Sequence, residues 1–403
     1  MAGIVVVGAG QAGASVVAKL RALDYAGQIT LIGEEPQPPY QRPPLSKKYL
    51  LGELELERMY LRPESFYPEN DIDLCVNEQV TSIVPGEKEI TTTDRTIQYD
   101  HLVLATGSVP RRLPAAMGGD LDGVYLVRGL SDVDAMAPEF REGAHVLIVG
   151  GGYIGLEAAA VAAKKGLKVT LIEMADRILK RVASPETSDF FRDLHAVHGV
   201  DIRESTGLER LVGDTRVTRA ELAGGETLDV DFVIVGVGID PATDLAAMAK
   251  LEIDNGIKTD EFCRTSDPHI WAAGDCASFP YRGDRVRLES VPNAHDMAEC
   301  VAENIMGAEK AYIAQPWFWS DQYDIKLQIA GLNTGYNRVV SRPDGKGKGM
   351  SFWYFKDDEL LAVDAASEPR AYMVGKRLID AGKSPAPDQI ADTGLELKTL
   401  LKA

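Results

Sequence analysis

The stretch Ile4-Val5-Val6-Val7-Gly8-Ala9-Gly10-Gln11-Ala12-Gly13 decides how the chain begins. Ile4 to Val7 are all β-branched, the composition of a strand buried on both faces. Three glycines follow at G-x-G-x-x-G spacing, and the pattern then turns helical. The spacing predicts a strand over 4–8, a helix over roughly 12–24 and a second strand over 28–32. Each glycine has a physical task. Gly8 permits the tight turn, Gly10 lets the backbone approach a pyrophosphate, and Gly13 lets helix and strand pack closely. The helix N-terminus adds free N–H groups and a positive dipole end for phosphate. Glu34 follows about 20 residues on, where an acidic residue would bind a ribose hydroxyl.

The same reading recurs later in the chain. Val146 to Val149 precedes Gly150-Gly151-Gly152-Tyr153-Ile154-Gly155, which predicts a strand over 145–149, a helix over about 154–165 and a strand over 168–172. Glu173 follows that strand directly, whereas Gly33 holds the corresponding place in the first copy and Glu34 comes one residue later. One fingerprint implies one dinucleotide; two imply two, held so that one reacts with the other.

Other segments fit the same α/β plan. His101 to Gly107 and Ile270 to Asp275 are short apolar strands ending in turns, and Phe232 to Ile239 is a buried strand turning through glycines. A helix is expected from Asn293 to about Met306. From Pro316 onward aromatic residues crowd together. Alternating runs at 326–329, 339–341 and 351–355, a turn at 343–349 and a helix at 372–379 predict an α+β domain with an antiparallel sheet. The expected fold is thus α/β: two Rossmann-like dinucleotide domains, one inserted in the other, and a C-terminal α+β domain. The boundaries fall at 1–112 with 239–315, 113–238, and 316–403.

The formal net charge is −18, which argues against nucleic acid or an anionic membrane as partner. No apolar run approaches the roughly 18 residues of a membrane span. The chain enters a strand almost at once, so no signal peptide is expected and a cytoplasmic location follows. Cys75, Cys263, Cys276 and Cys300 form no C-x-x-C pair, which argues against a disulfide framework or a metal site.

The motifs Tyr40-Gln41-Arg42-Pro43-Pro44-Leu45-Ser46-Lys47, Ala105-Thr106-Gly107, Gly274-Asp275-Cys276-Ala277, Glu289 to Ala294, and Pro316-Trp317-Phe318-Trp319-Ser320-Asp321-Gln322 carry a resemblance across essentially the whole chain. The protein resembles the two-dinucleotide-binding flavoprotein reductases, and within them the NADH:ferredoxin reductases of bacterial oxygenase systems. That resemblance implies a resident FAD in the first domain and NADH (NAD+ after reaction) as co-substrate in the inserted one. It also implies a 2Fe–2S ferredoxin as acceptor and, beyond it, a haem-thiolate monooxygenase or a Rieske dioxygenase. Rubredoxin reductase and monodehydroascorbate-type reductase differ in acceptor. A redox-sensing interaction protein that keeps FAD is the alternative from another class.

The FAD set is Gly8, Gly10, Gly13, Glu34, Arg42, Lys47, Ala105, Thr106, Gly107, Asp275, Val291 and Pro292. The NADH set is Gly150, Gly152, Tyr153, Ile154, Gly155, Glu173, Arg181 and Gly238. By the resemblance, Lys47 reaches the flavin N5 edge and Glu157 pairs with it at the flavin–nicotinamide junction, with Trp319 covering a ring face. Arg42 is expected on an FAD phosphate or the adenine, and Asp275 on the ribityl or ribose hydroxyls of FAD. The helix starting near Val291-Pro292 is expected to turn its positive end toward the flavin. Glu173 is expected to favour NADH by repelling a 2′-phosphate. Positions 36 to 50 hold no cysteine, unlike disulfide-reducing relatives. Arg285, Arg287, Arg338, Arg342, Lys376 and Arg377 are the expected docking cations for an acidic ferredoxin.

Overall fold

The computed structural model describes residues 3–345 and 347–402; Met1, Ala2, Ala403 and Lys346, which belongs to the expected turn at 343–349, lie outside it. The chain forms two compact units. One comprises 1–42, 55–109 and 239–316; the other comprises 43–54, 110–238 and 317–403.

The first unit is built on five parallel strands in the order Ile72–Cys75, Ile29–Ile32, Gly3–Val7, Thr96–Leu104, Ile270–Ala272. Gly3–Val7 is buried at every position, so the unbroken apolar run is what a central strand needs. It ends at Val7, not residue 8, because Gly8 already turns with φ +113°. The helix Gln11–Ala22 buries Ala12, Val16 and Leu20 on one stripe, with Gly13 and Val17 beside them. It stops two residues short of the expected end, where Asp24 takes a left-handed conformation (φ +58°) and Tyr25 N–H returns to Leu20 O. Val291–Ile305 packs on this helix, and Lys19 bridges to Glu299 and Glu303 across them. The strands Val80–Val84 and Glu89–Thr92 form an antiparallel extension that runs into Thr96–Leu104.

The second unit repeats this plan with Asp201–Arg203, Lys168–Ile172, His145–Val149, Phe232–Val235 and Val124–Tyr125, all parallel, beside an antiparallel trio, Leu208–Val212, Arg219–Leu222 and Thr227–Asp229. The expected strand at 232–239 ends at Val235, because 236–238 turns and Gly238 has φ +115°.

A five-stranded antiparallel sheet follows in the same unit, ordered Trp317–Gln322, Ile325–Gly331, Glu359–Ala366, Met350–Lys356, Arg338–Pro343. Period-2 alternation gives it two apolar faces. Trp353, Phe355 and Val363 join the core under helix Pro369–Asp380. Phe352 and Tyr354 pack on the other side with Phe190, from helix Pro185–Val197. The observed class is the expected one, α/β with two Rossmann-like layers and a C-terminal antiparallel sheet. Pro43–Leu54, expected within the first domain, belongs to the second compact unit.

Candidate active site

The two fingerprints fold alike. A Cβ on Gly8 would lie 2.1 Å from Ala105 O, and one on Gly150 would lie 2.3 Å from Gly236 O. Gly150 also has a positive φ, +110°. A Cβ on Gly13 would lie 2.0 Å from Gly8 O, and one on Gly155 2.2 Å from Gly150 O. These four glycines are therefore fixed by the protein's own backbone. Gly10 and Gly152 are not: nothing lies within 4 Å of a Cβ built on either. Each is also the N-cap of its helix, with no side chain bonded to the first turn. By contrast, Ser184, Ser290 and Glu368 side chains cap three other helices. Open space and unspent N–H groups at both fingerprints suit a pyrophosphate, so the residues present fit two dinucleotides.

In the first unit, Thr106 Oγ1 donates to Ala242 O at 2.7 Å and Gly107 O accepts the Ala242 N–H, which fixes the strand end beside Gly8. Asp275 Oδ2 accepts from Ser108 at 3.1 Å. Arg42 pairs with Glu35 and lies over the Tyr40 ring, 5.1 Å from its centroid. Glu34 is exposed. At the start of Val291–Ile305, Ser290 Oγ takes the Asn293 N–H and Pro292 has none to give.

In the second unit, Glu173 accepts from the N–H groups of Gly151 and Ala175, both at 2.8 Å. Arg177 is committed to Ser188 at 2.6 Å. Arg181 is exposed, and its Nη2 would lie 4.0 Å from a Cβ on Gly238. Ile154 is 43% exposed beside the open fingerprint. Tyr153 turns the other way: its ring lies 5.1 Å from Phe318, and its buried hydroxyl has no partner.

Lys47 and Glu157 do meet. Lys47 Nζ lies 2.6 Å from Glu157 Oε2, and Glu157 is 4% exposed. Lys47 reaches it from the turn after Pro43–Ser46, where two prolines limit the backbone. Glu157 lies one turn inside helix Tyr153–Lys164, whose first turn carries no acid, so it is not a helix-dipole partner there. Trp319 is half-buried, its ring centroid 5.6 Å from that of Trp317. It sits on the opposite face of its strand from Ser320, and Ser320 is the residue that bonds Glu157, at 2.7 Å.

Three groups escaped the sequence reading. Ser46 Oγ donates to Glu157 Oε2 at 2.6 Å. Gln322 and His195, both fully buried, continue the bonding beyond Ser320; burial pushes the His195 imidazole down to about 4, against the Gln322 bond and with help from His198. A separate buried cluster joins Asp364, Tyr354 and Thr187, and burial raises the Asp364 carboxyl to about 7 against both hydroxyl donors. Ser46, Ser320 and Gln322 lie inside the quoted motifs, so their position was a signal; nothing in the local sequence marks His195 or Asp364.

The expected docking cations are only partly available. Arg342, buried, donates to the carbonyls of Ile390, Asp392, Thr393 and Leu395. Arg285 is tied to Thr259 O and Ser278 O, and Arg287 pairs with Glu289 and bonds Asp275 O. Arg338 and Lys376 pair with Asp388 and Asp380, and Arg377 is exposed. All four cysteines are buried and unpaired; burial pushes the Cys75 thiol up to about 12. Among the described residues no cluster of His, Cys, Asp and Glu is arranged to hold a metal, and no helix is long and apolar enough to cross a membrane.

Two glycine-turn cradles on parallel sheets, with a Lys–Glu pair whose carboxylate is buried beside one of them, are the arrangement of a two-dinucleotide oxidoreductase. Residues 2–298 match the pyridine nucleotide-disulphide oxidoreductase model and residues 317–401 the reductase C-terminal model. The chain belongs to the pyridine nucleotide-disulphide oxidoreductase family. It is 42% identical over 404 residues to the 5,5′-dehydrodivanillate O-demethylase ferredoxin reductase subunit of Sphingobium sp., covering 99% of this chain and 98% of that protein. It is 40% identical over 408 residues to the putidaredoxin reductase of Pseudomonas putida, covering 99% and 97%. The reductase in the covalent putidaredoxin reductase–putidaredoxin complex matches with a TM-score of 0.96 at 39% identity, over 100% of this chain and 98% of that one.

Proposed function

We propose that the protein is an FAD-dependent NADH:ferredoxin reductase, passing electrons from NADH through FAD to a 2Fe–2S ferredoxin that serves a monooxygenase or dioxygenase. The observation that carries this reading is the doubled cradle, open beside Gly10 and again beside Gly152. Similarity over nearly the full length to relatives named as ferredoxin reductases supports the choice of acceptor. The segments 1–112 with 239–315 form the FAD-binding domain, 113–238 the NADH-binding domain, and 316–403 the C-terminal domain in this reading.

Bound flavin supplies the chemistry that links a two-electron donor to a one-electron acceptor. The chain's residues bind and orient. Gly8, Gly10 and Gly13 receive the FAD pyrophosphate, and Ala105 to Gly107, Asp275, Arg42, Glu34, Val291 and Pro292 complete that site. Gly150, Gly152, Gly155, Ile154, Arg181 and Gly238 receive NADH, and Tyr153, its ring turned away, offers only its backbone N–H at the helix start. Glu173 presents acceptor oxygens to the adenosine ribose, and its charge disfavours a 2′-phosphate. Lys47 spends one N–H on Glu157 and one on Pro43 O at 3.3 Å. An ammonium has three, so one remains to orient the flavin edge, while Trp319 covers a ring face.

The test is to mix the FAD-loaded protein with NADH and a panel of ferredoxins and rubredoxins. Rapid reduction of a 2Fe–2S ferredoxin is the expected result. Preference for rubredoxin would replace the acceptor, and NADH oxidation without transfer to any carrier would overturn the reading.

A further inference from the structure

Glu157 is held by more than Lys47. From its Oε1 a line of hydrogen bonds runs through wholly buried side chains. Ser320 Oγ lies at 2.7 Å, Gln322 Nε2 lies 3.2 Å from Ser320 Oγ, and His195 Nε2 lies 2.8 Å from Gln322 Oε1. Tyr323 Oη closes the line, 3.0 Å from His195 Nδ1. Four elements contribute: helix Tyr153–Lys164, strand Trp317–Gln322, the turn after it, and helix Pro185–Val197. Ser320 and Gln322 share a strand face, two residues apart, so the pleat itself aligns them.

The direction of every bond follows from the donor inventory. Paired with the Lys47 ammonium, the Glu157 carboxylate accepts. Ser320 has one hydroxyl proton and gives it to Glu157, so its oxygen must accept from the Gln322 amide NH2. That orientation turns the Gln322 carbonyl to His195, whose Nε2 must then carry the ring proton. Nδ1 is left as an acceptor, and the Tyr323 hydroxyl supplies it. All four donors point one way, toward the Glu157 carboxylate. Aligned bonds of this kind reinforce one another in a low-dielectric interior, and a half-satisfied chain would leave buried polar atoms unpaired at a cost.

We propose that Gln322 and His195 are positioning residues for the Lys47–Glu157 pair, acting through Ser320 as a one-directional hydrogen-bond chain that fixes the Glu157 carboxylate. The inference rests on the proposed role of that pair in NADH-dependent flavin reduction.

The chain predicts one tautomer at a residue three hydrogen bonds away from Glu157, the partner of Lys47. In the FAD-loaded protein labelled with 15N-histidine, His195 is expected as the Nε2–H tautomer; with six histidines in the chain, loss of its signal in His195→Gln assigns it. Glu157→Ala frees Ser320 to donate to Gln322, so the amide can reverse and a mixture of His195 tautomers is expected. An Nδ1–H tautomer in the native protein, or an unchanged Nε2–H tautomer in Glu157→Ala, overturns the proposal. In stopped flow, His195→Phe is expected to slow flavin reduction about tenfold, the equivalent of one lost hydrogen bond, with KM for NADH within about twofold. His195→Gln keeps a donor and is expected to restore the rate. Equal rates in the two variants overturn the proposal. If a variant loses FAD, Ser320→Ala, which removes a single oxygen, is the second breaker of the chain and is expected to slow reduction similarly; a native rate overturns the proposal. A normal reduction rate in Lys47→Ala would defeat the underlying reading instead, and the tautomer result would distinguish the two failures.

Discussion

Replacing Asp364 by Asn should change how the stability of the C-terminal sheet depends on pH. Asp364 is 1% exposed on strand Glu359–Ala366. Thr187 donates to its Oδ2 at 3.0 Å and Tyr354 donates to the same oxygen, while Oδ1 is buried without a partner. Burial outweighs both donors and raises the carboxyl to about 7. The unfolded chain titrates near 3.9. A carboxyl with a raised folded value contributes most below the unfolded value, and that contribution is lost as pH rises through the folded one. As pH rises through the window from about 4 to about 8 the native protein should therefore lose ~4 kcal/mol from this group in all, at up to ~1.4 kcal/mol per pH unit, and little further above pH 8. Asn cannot ionise and escapes the loss. Any penalty for an unpaired amide N–H is independent of pH and cancels when the variant is compared at several pH values. The stability gap, Asn variant minus native, should widen by about 2 kcal/mol from pH 5 to pH 7 and level off by about pH 8. Urea unfolding followed by tryptophan emission measures it, since three of the four tryptophans, Trp317, Trp319 and Trp353, lie in this sheet. A gap that is constant from pH 5 to pH 8, or that narrows, would mean that Asp364 is already ionised in the fold and that burial does not dominate its environment.

Four further outcomes are expected. Lys47→Ala should slow NADH-dependent flavin reduction by about 10²-fold, read by stopped flow; an unchanged rate would remove Lys47 from the reaction. Gly155→Ala would place a Cβ 2.2 Å from Gly150 O, so KM for NADH should rise with FAD content unaltered, and loss of FAD with normal NADH binding would reverse the assignment of the two cradles. Glu173→Ala should lower the NADH-over-NADPH ratio of kcat/KM by about tenfold or more, because an acceptor for ribose and a repelling charge both go. Arg342→Leu leaves four carbonyls without their shared donor; stability should fall by ~1–3 kcal/mol, and protease should cut near residues 390–395 first. A native unfolding profile there would show that solvent replaces the arginine at no cost.

Much of the molecule was legible in its sequence for identifiable reasons. Parallel strands buried on both faces must be continuous apolar runs, and a chain that turns sharply onto a helix must use glycine, so both cradles stood out. Element ends moved by a residue or two because local caps decide them, as Asp24 does after the first helix. Arg342 was misplaced as a surface cation because a charged letter does not reveal its partners: here they are backbone carbonyls some fifty residues away. His195 and Asp364 were invisible for a related reason. Their chemistry comes from burial between elements distant in sequence, and no local period encodes that. Ser320 and Gln322 stood inside a recognised motif but were overshadowed by Trp319, which lies on the opposite face of the same strand.

The two cradles are not copies, and one exchange shows where they part. At the second fingerprint position the first cradle has Ala9 and the second has Gly151; at the end of the second strand the first has Gly33 and the second has Glu173. These positions face each other. A Cβ on Gly33 would lie 2.5 Å from the Ala9 Cβ, and a Cβ on Gly151 would lie 3.2 Å from both Cβ and Oε2 of Glu173. In the first pair there is no room for two side chains; in the second a Cβ on Gly151 would press on Glu173 and come within 2.7 Å of Ile178 Cγ2. Where the loop has Ala, the strand end is bare and an acid can appear only one residue later, as the exposed Glu34 does. Where the loop has Gly, the strand end carries Glu173, pulled against the Gly151 N–H at the mouth of the open fingerprint. Crowding thus couples a loop residue to the residue at the strand end, which in the second cradle is the one proposed to select NADH. A bare strand end suits a cofactor held by many distant contacts and never exchanged. A charged one suits a nucleotide that must be told apart from its phosphorylated twin each time it enters.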